Sequence, residues 1–263
     1  MTKVTDALLR LEGDAVDIWL TSLAEVSDSG LSTYEALLSE TERDRWRRFK
    51  VRGAADQYIV GRALLRTTLS RYAPVPELAW IFATNDYGCP YISQPASSRT
   101  LRFNLSHTEG LVACAVTRGN EIGIDVENTA RPLDPLELAP TVFAAPEIDR
   151  VATATEEDRR ALFFAYWTLK EAYIKARGMG VSLPLDGFWF ELDDIPHIHF
   201  AASCPDRPER WHFRRWQATP NHTLAAAVAT ASQRPPRFRR RWVVPDAPAV
   251  GRREGGGRPA VVG

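Results

Sequence analysis

The sequence predicts an α/β (α+β) fold made of two similar halves. Three observations support this class. The 263 residues suffice for one large domain or two fused smaller ones, helical and strand patterns alternate along the chain, and a charged segment occurs twice. The segment reads Glu42-Arg-Asp-Arg45 and later Glu147-Ile-Asp-Arg150, each time before a long predicted helix and several strands. The expected division is residues 1–105, residues 106–232 and a tail at 233–263.

Hydrophobic periodicity and capping residues define the elements of the first half. Loosely alternating apolar residues predict a first strand over 14–20. Two segments, Ser32-Thr-Tyr-Glu35 and Ser39-Glu-Thr-Glu42, match the capping box, so each predicts a helix start. A longer helix is expected over 54–72, because prolines follow it closely.

Short strands and helices alternate through the rest of the chain. Turn residues bound the other predicted strands, at 79–83, 101–105, 111–117, 122–127, 188–192, 198–201, 211–217 and 223–230. The other predicted helices are 136–143, 146–153 and 156–177. The tail is rich in Pro, Arg and Gly, and we expect it to be disordered and solvated.

Composition excludes several classes of protein. The formal net charge is zero, so no global field favours nucleic acid or a membrane surface. The three cysteines are widely spaced, which argues against a zinc site and a disulfide framework. No apolar run is long enough for a membrane span or follows Met1 as a signal peptide would. We therefore expect a cytoplasmic protein in a reducing environment.

A pair of carboxylates in one predicted strand is the first candidate site. Asp125 and Glu127 lie two residues apart, so they share a face, whereas Ile122, Ile124 and Val126 point to the opposite face. Carboxylates placed in this way are suited to Mg²⁺, which prefers oxygen ligands. The alternative is a solvated strand edge with two acids that bind nothing.

The long helix carries the second candidate, a group of three charged residues. Glu171 and Lys175 are four residues apart and share a helix face, and Lys170 precedes them. A helical salt bridge alone would explain this pattern. If Glu171 joins the two strand carboxylates, the set resembles a Mg²⁺–phosphate site with lysines on the leaving-group side. Only four of the 33 basic residues are lysines, which makes the two in this helix unusual.

Phosphate binding has two further candidates. Ser106 and His107 stand near a predicted turn, where a hydroxyl and an imidazole can hold phosphate oxygens. They could equally be an ordinary turn residue and a partly exposed histidine. Arginines of the first half could form an anion-binding wall or remain surface charges; they are Arg43, Arg45, Arg62 and Arg66.

Three segments of the chain resemble the signature motifs of the 4′-phosphopantetheinyl transferases, in order and in spacing. The segments are Asn104-Leu-Ser-His107, Ile122-Gly-Ile-Asp-Val-Glu127 and Trp167-Thr-Leu-Lys-Glu-Ala-Tyr-Ile-Lys175. Chain length and the apparent duplication are similar to the larger, monomeric Sfp-type branch. The resemblance implies a pseudo-twofold α/β fold with the active site between the halves. It also implies Mg²⁺ and coenzyme A as ligands, and an acyl or peptidyl carrier protein as partner.

Residue roles follow from the resemblance by position. The implied metal ligands are Asp125, Glu127 and Glu171, the implied coenzyme A contacts are Arg45, Ser106, His107 and Lys175, and the implied catalytic residues are Glu171, Lys170 and Lys175. Cys89 and Met179 replace lysines that are frequent in the family, and Arg62, Arg66 or Arg43 could compensate for them. The carrier could serve fatty acid, polyketide or nonribosomal peptide synthesis.

The expected reaction is Mg²⁺-dependent transfer of 4′-phosphopantetheine from coenzyme A to a carrier serine, with release of 3′,5′-ADP. Two alternatives remain open at this point. A binding-only paralogue would hold coenzyme A or the carrier without turnover. A Mg²⁺-dependent nuclease would use similar acids and lysines, although the chain shows no basic groove.

Overall fold

The structure, a computed structural model, describes residues 8–232 and 234–246. Its strands are β1 (Val16–Ser22), β2 (Ile81–Thr84), β3 (Pro90–Gln94), β4 (Leu101–Thr108), β5 (Leu111–Arg118), β6 (Glu121–Asn128), β7 (Phe188–Glu191), β8 (His197–Phe200), β9 (Trp211–Thr219), β10 (His222–Ala229) and β11 (Phe238–Trp242). Its α-helices are α1 (Asp28–Tyr34), α2 (Glu40–Arg47), α3 (Arg52–Ser70), α4 (Pro135–Val142), α5 (Ala145–Thr153) and α6 (Glu156–Arg177). The α/β class is confirmed.

Two sheets stack face to face, and one long helix covers the outer face of each. The strand orders are β11-β1-β5-β4 and β6-β10-β9. Alternate residues of the central strands meet in a buried apolar layer between the sheets, as Ile18, Ala113, Ile124 and Ala226 do. The intervening residues face α3 in one half and α6 in the other. Any polar residue that faces α6 from β6 therefore lies between a strand and a helix.

The two halves repeat the same order of elements, as the duplicated segment predicts. In each half a strand, two short helices, a long helix and a two-stranded hairpin precede two further strands. A buried ion pair recurs at the same place, because Glu42 lies 2.7 Å from Arg66 and Glu147 lies 2.8 Å from Lys170. In both pairs the cation also donates to two backbone carbonyls beyond the long helix. The internal duplication is confirmed.

The boundary between the halves differs from the expected one. The predicted division between residues 105 and 106 falls inside β4, which pairs with β5 along its whole length. A tight turn at Gly110 joins these two strands, so hydrogen bonding keeps them in one sheet. The first half therefore extends to Arg118, and the second begins at Glu121.

The expected disorder of the tail is wrong for residues 238–242. These residues form β11, which pairs in parallel with β1 at the edge of the first sheet. Arg239 Nε lies 2.5 Å from Oδ1 of the buried Asp17, so the basic tail neutralises an acid in β1. An open strand edge and a buried charge both favour this pairing. The expectation for residues 247–263 lies outside the described residues.

A close contact between α6 and β6 is possible only because of Gly123. A Cβ at this position would lie 1.9 Å from the carbonyl oxygen of Ala172. The helix α6 is capped by Thr155, whose side chain accepts from Asp158 N, and by Gly178, which is in the left-handed region. These features fix α6 against the polar face of β6.

Most predicted elements are confirmed within a few residues, with two differences in the first half. The capping box at Ser39 is confirmed, but Ser32 lies inside α1, whose cap is Ser27. The hairpin strand β3 was not predicted. Among the residues that the structure describes, no helix combines the length and the apolar character needed to cross a bilayer.

Candidate active site

Three carboxylates lie between β6 and α6. Asp125 and Glu127 face the helix, and Ile124 points the opposite way, as the strand pattern predicts. Burial raises the pKa of Glu171, and the negative charges of Asp125 and Glu127 raise it further, against the effect of Lys175. The pKa of Glu127 is raised in the same way, by burial and then by Asp125. The structure therefore brings all three predicted metal ligands into one repulsive cluster.

Lys175 supplies the positive charge of this cluster. Its Nζ lies 2.5 Å from Asp125 Oδ1 and donates to Ser106 Oγ at 3.0 Å. Burial raises the pKa of Asp125, and Lys175 offsets part of that effect. The ammonium remains partly exposed, so it can also meet a ligand from the cleft.

The first half has a different pair of residues at the equivalent place. Trp19 in β1 occupies the position equivalent to Asp125 in β6 when the strand pairing is counted from the β4–β5 turn in the first half and from the β9–β10 turn in the second. Counted from the duplicated ion pair, Arg71 corresponds to Lys175, and its guanidinium lies 5.1 Å from the Trp19 ring. Both halves therefore have a contact between these equivalent strand and helix positions. Only the second half has an acid at the strand position, Asp125.

The cluster has the chemistry of a cation site, although its side chains do not converge in this structure. Asp125 Oδ2 is buried and has no hydrogen-bond partner among the described residues, which a cation would satisfy. Carboxylate oxygens are the ligands that Mg²⁺ prefers. Among residues 8–232 and 234–246, no three acidic, histidine or cysteine side chains are close enough to share a metal ion. Side-chain rotation would have to bring Glu127 and Glu171 towards Asp125.

Glu127 is oriented by two neighbours that the sequence did not indicate. Trp167 Nε1 donates to Glu127 Oε1 at 2.8 Å. Arg131 lies 3.7 Å from the other carboxylate oxygen. Trp167 is one helical turn before Glu171 on α6, so the same helix carries one candidate ligand and orients another.

Lys170 is a correction to the predicted catalytic set. Its side chain is 1% exposed and points away from the three carboxylates, into the core of the second half. The ammonium pairs with Glu147 and donates to the carbonyl oxygens of Leu185 and Phe188, both at 2.6 Å. Adjacent residues of a helix project about 100° apart, so Lys170 and Glu171 cannot face the same site.

Two of the four candidate arginines form a basic wall. Arg45 and Arg62 lie over the ring of Tyr58, at 5.5 and 5.2 Å from its centroid. All three line a cavity of about 600 Å³ beside β2. The family resemblance implies that Tyr58 lies in a stretch that contacts coenzyme A, although Tyr58 is not among the predicted site residues.

The other two arginines serve the fold. Arg66 is 2% exposed and is held by Glu42 and by two backbone carbonyls. Arg43 donates to the carbonyl oxygens of Glu35 and Leu38. Neither guanidinium is available to bind a phosphate in this arrangement.

The pKa of His107 responds to charges of both the acidic cluster and the basic wall. Burial lowers its pKa first, and the positive charges of Lys175, Arg62 and Arg45 lower it further, against Asp125. Charges from both halves therefore act on one imidazole. A neutral His107 can accept a hydrogen bond as well as donate one.

A cleft of about 700 Å³ opens next to Glu171 and Lys175. One wall comes from the β2–β3 turn of the first half, including Cys89, and the other from α4, α6 and residues 183–186. Asn85 of this turn donates to the carbonyl oxygen of Gly178 at 2.8 Å, which joins the walls. Of the charged cluster, Glu171 and Lys175 thus line a cleft between the halves.

Sequence comparisons match both halves of the chain to one family. Residues 121–243 match the profile of the 4′-phosphopantetheinyl transferase superfamily, and residues 25–118 match the profile of the 4′-phosphopantetheinyl transferase N-terminal region. The two matches meet where the structure divides the halves, between β5 and β6.

Curated relatives cover most of the chain. The 4′-phosphopantetheinyl transferase HetI of Nostoc sp. is 35% identical over 228 residues, which are 85% of this chain and 90% of HetI. The 4′-phosphopantetheinyl transferase Sfp of Bacillus subtilis is 29% identical over 74% of this chain and 84% of Sfp. Another 4′-phosphopantetheinyl transferase of Bacillus subtilis is 31% identical over 74% of this chain and 83% of its own length. The chain therefore belongs to the 4′-phosphopantetheinyl transferase superfamily, in its larger Sfp-type branch, and is an enzyme of that kind.

Proposed function

We propose that the protein transfers 4′-phosphopantetheine from coenzyme A to a serine of an acyl or peptidyl carrier protein, with Mg²⁺ and with release of 3′,5′-ADP. The observation that carries this proposal is the cluster of Asp125, Glu127, Glu171 and Lys175 at a cleft between the halves. The family to which the chain belongs supports the transferred group and the class of acceptor.

The acidic cluster would receive the pyrophosphate with its cation. Asp125, Glu127 and Glu171 would hold Mg²⁺, because Asp125 Oδ2 lacks a partner and the three charges repel one another. The metal, when bound, supplies positive charge that stabilises the phosphate oxygens. Lys175 adds a second positive charge from this chain, on the side that faces the cleft.

The basic wall would hold the nucleotide end of coenzyme A. Arg45 and Arg62 present two guanidinium groups beside the Tyr58 ring, and their charges and that of Asp125 all act on His107. Guanidinium groups suit phosphate oxygens because their donors form a planar fork. In this proposal the nucleotide lies against the first half and the reacting phosphate near the second.

In the proposed step, the serine oxygen of the carrier bonds to the phosphorus atom that carries pantetheine. The bond from that phosphorus to the bridging oxygen breaks, and the oxygen leaves with 3′,5′-ADP. Glu171 or a water molecule takes the serine proton, and Lys175 screens the charge on the leaving phosphate. Positioning and electrostatic stabilisation account for most of the catalysis in such transfers.

The test is the intact mass of an apo carrier protein after incubation with the enzyme, coenzyme A and Mg²⁺. We expect a gain of one phosphopantetheine group, and none when a chelator replaces Mg²⁺. A panel of carriers from fatty acid, polyketide and peptide synthases identifies the acceptor class. Coenzyme A binding without a mass gain on any carrier would contradict the proposal and favour a binding-only protein.

We propose that the enzyme acts as a monomer, because one chain supplies both walls of the cleft. The β2–β3 turn and α6 belong to different halves and are joined by the hydrogen bond from Asn85 to Gly178. Light scattering during active turnover should give the mass of one chain. A dimer that loses activity on dilution would contradict this part of the proposal.

A further inference from the structure

A turn of the first half packs against the end of the long helix of the second half. Strands β2 and β3 form a hairpin, and its tip is residues 85–89. In the second half, α6 is capped by Gly178. A Cβ at Gly178 would lie 3.4 Å from Asn85 Nδ2 and 3.4 Å from Cys89 Sγ. The hairpin tip therefore lies directly against the end of α6.

Asn85 performs two tasks with the two ends of its side-chain amide. Its Oδ1 accepts from the backbone N–H groups of Tyr87 and Cys89, at 3.0 and 2.8 Å, which folds the tip. Its Nδ2 donates to the carbonyl oxygen of Gly178 at 2.8 Å, which ties the tip to α6. Within the described part of the chain, no other hydrogen bond joins the tip to the second half.

The root of the hairpin is held in a different way. The ring of Phe82 in β2 lies 5.3 Å from the ring of Phe103 in β4. At the tip, by contrast, Tyr87 is 53% exposed. Tyr87 and Lys175 line the same cleft. The core of the first half therefore positions the root, and the bond from Asn85 positions the tip at the cleft.

We propose that Asn85 is a positioning residue that holds the hairpin tip against the end of α6 and so sets the width of the cleft beside Lys175. Its effect on catalysis rests on the proposed function, which brings the reacting phosphate to Lys175. A released tip would leave the substrates less well positioned, and positioned reactions are sensitive to small displacements. Loss of one such hydrogen bond corresponds to about a three- to tenfold change in kcat/KM.

Asn85→Ser tests the inference, with Asn120→Ser as the matched control. A serine hydroxyl can still accept from nearby backbone N–H groups and keep the turn, but it is too short to reach Gly178. Asn120 Nδ2 donates to Asp14 Oδ1 at 3.2 Å, a bond that does not involve the hairpin. We expect kcat/KM for carrier loading to fall about three- to tenfold in Asn85→Ser and less than about twofold in the control.

Alkylation of Cys89 gives a readout that needs no turnover. Cys89 is half-buried beside Gly178, whereas Cys114 and Cys204 are buried. Iodoacetamide should therefore modify Cys89 several-fold faster in Asn85→Ser than in the wild type, as peptide mass mapping would show. The control variant should react at the wild-type rate.

An engineered disulfide separates positioning from a direct contact between Asn85 and the substrate. A Cβ at Gly178 would lie 3.5 Å from Cys89 Cβ, which is within the range that disulfides span. Oxidised Asn85→Ser/Gly178→Cys should therefore regain the tie without the amide, and its kcat/KM should match that of oxidised Gly178→Cys. After reduction, the double variant should again be slower than reduced Gly178→Cys. Brief assays, followed by the intact mass of the enzyme, verify that the bond persists in the presence of coenzyme A.

Three results would be decisive against one claim or the other. An oxidised double variant that stays slow would make Asn85 a substrate contact and overturn the inference. Unchanged alkylation or unchanged kcat/KM in Asn85→Ser would overturn it as well. Wild-type protein that is alkylated more slowly than Asn85→Ser but loads no carrier would refute the proposed function instead.

Discussion

Replacing Lys170 by methionine should lower the free energy of unfolding by about 3–5 kcal/mol, the range for breaking a buried ion pair. The side chains of Lys170 and Glu147 are 1% and 0% exposed. The change leaves the Glu147 carboxylate buried without its cation, and it leaves two backbone carbonyls without their donor. For a protein of this size the midpoint of thermal unfolding should fall by roughly 6–20 °C.

Chemical denaturation of the metal-free protein measures this effect. Lys50→Met is the control, because Lys50 is exposed and its loss should cost less than about 0.5 kcal/mol. Adding Glu147→Gln to Lys170→Met should restore about 1–2 kcal/mol, because the buried charge is gone and the amide can still accept a hydrogen bond. A loss below about 1 kcal/mol in Lys170→Met would refute the buried pair and reopen a catalytic role.

Three further changes probe packing, charge and the tail. Gly123→Ala should abolish folding or force α6 away from the sheet, seen as lost helical circular dichroism or a collapsed unfolding midpoint. The pKa of His107 in an NMR titration should lie below the ordinary value of about 6.5, and Arg62→Gln should raise it by removing a positive charge. Since the folded state then binds fewer protons at this site, its contribution to stability falls as pH drops below that value. Arg239→Ala should destabilise the protein by leaving Asp17 buried and unpaired, as denaturation would show.

Much of the fold could be predicted because local signals were strong and consistent. The apolar alternation of β6 gave the correct face for Asp125 and Glu127. The duplicated charged segment predicted two halves. The structure shows why the segment recurs, because its glutamate forms a buried ion pair in each half. The pairing of β11 with β1 could not be predicted, since it depends on a strand edge far away in the sequence and on the buried charge of Asp17.

The sequence predicted which residue types form the candidate site. It did not predict correctly the direction in which every side chain points. Asp125, Glu127, Glu171 and Lys175 lie near enough to influence one another's charge, although the three carboxylates do not converge on one point, whereas Lys170 faces the core. Helical spacing alone could have separated Lys170 from Lys175, because residues five apart on a helix project about 140° from each other. The alternation of Asn104, Ser106 and Thr108 was a further available signal, since polar residues at every second position of a buried strand need partners. Their partners lie on another strand, which no local pattern identifies.

The central claim is that the cluster around Glu171 performs the transfer. The most direct test compares Glu171→Gln with Glu157→Gln, an exposed position on the same helix, in the carrier mass assay. Both variants should unfold like the wild type. We expect Glu157→Gln to load the carrier at the wild-type rate and Glu171→Gln to be slower by at least a hundredfold. Equal rates for the two variants would contradict the proposed role of Glu171.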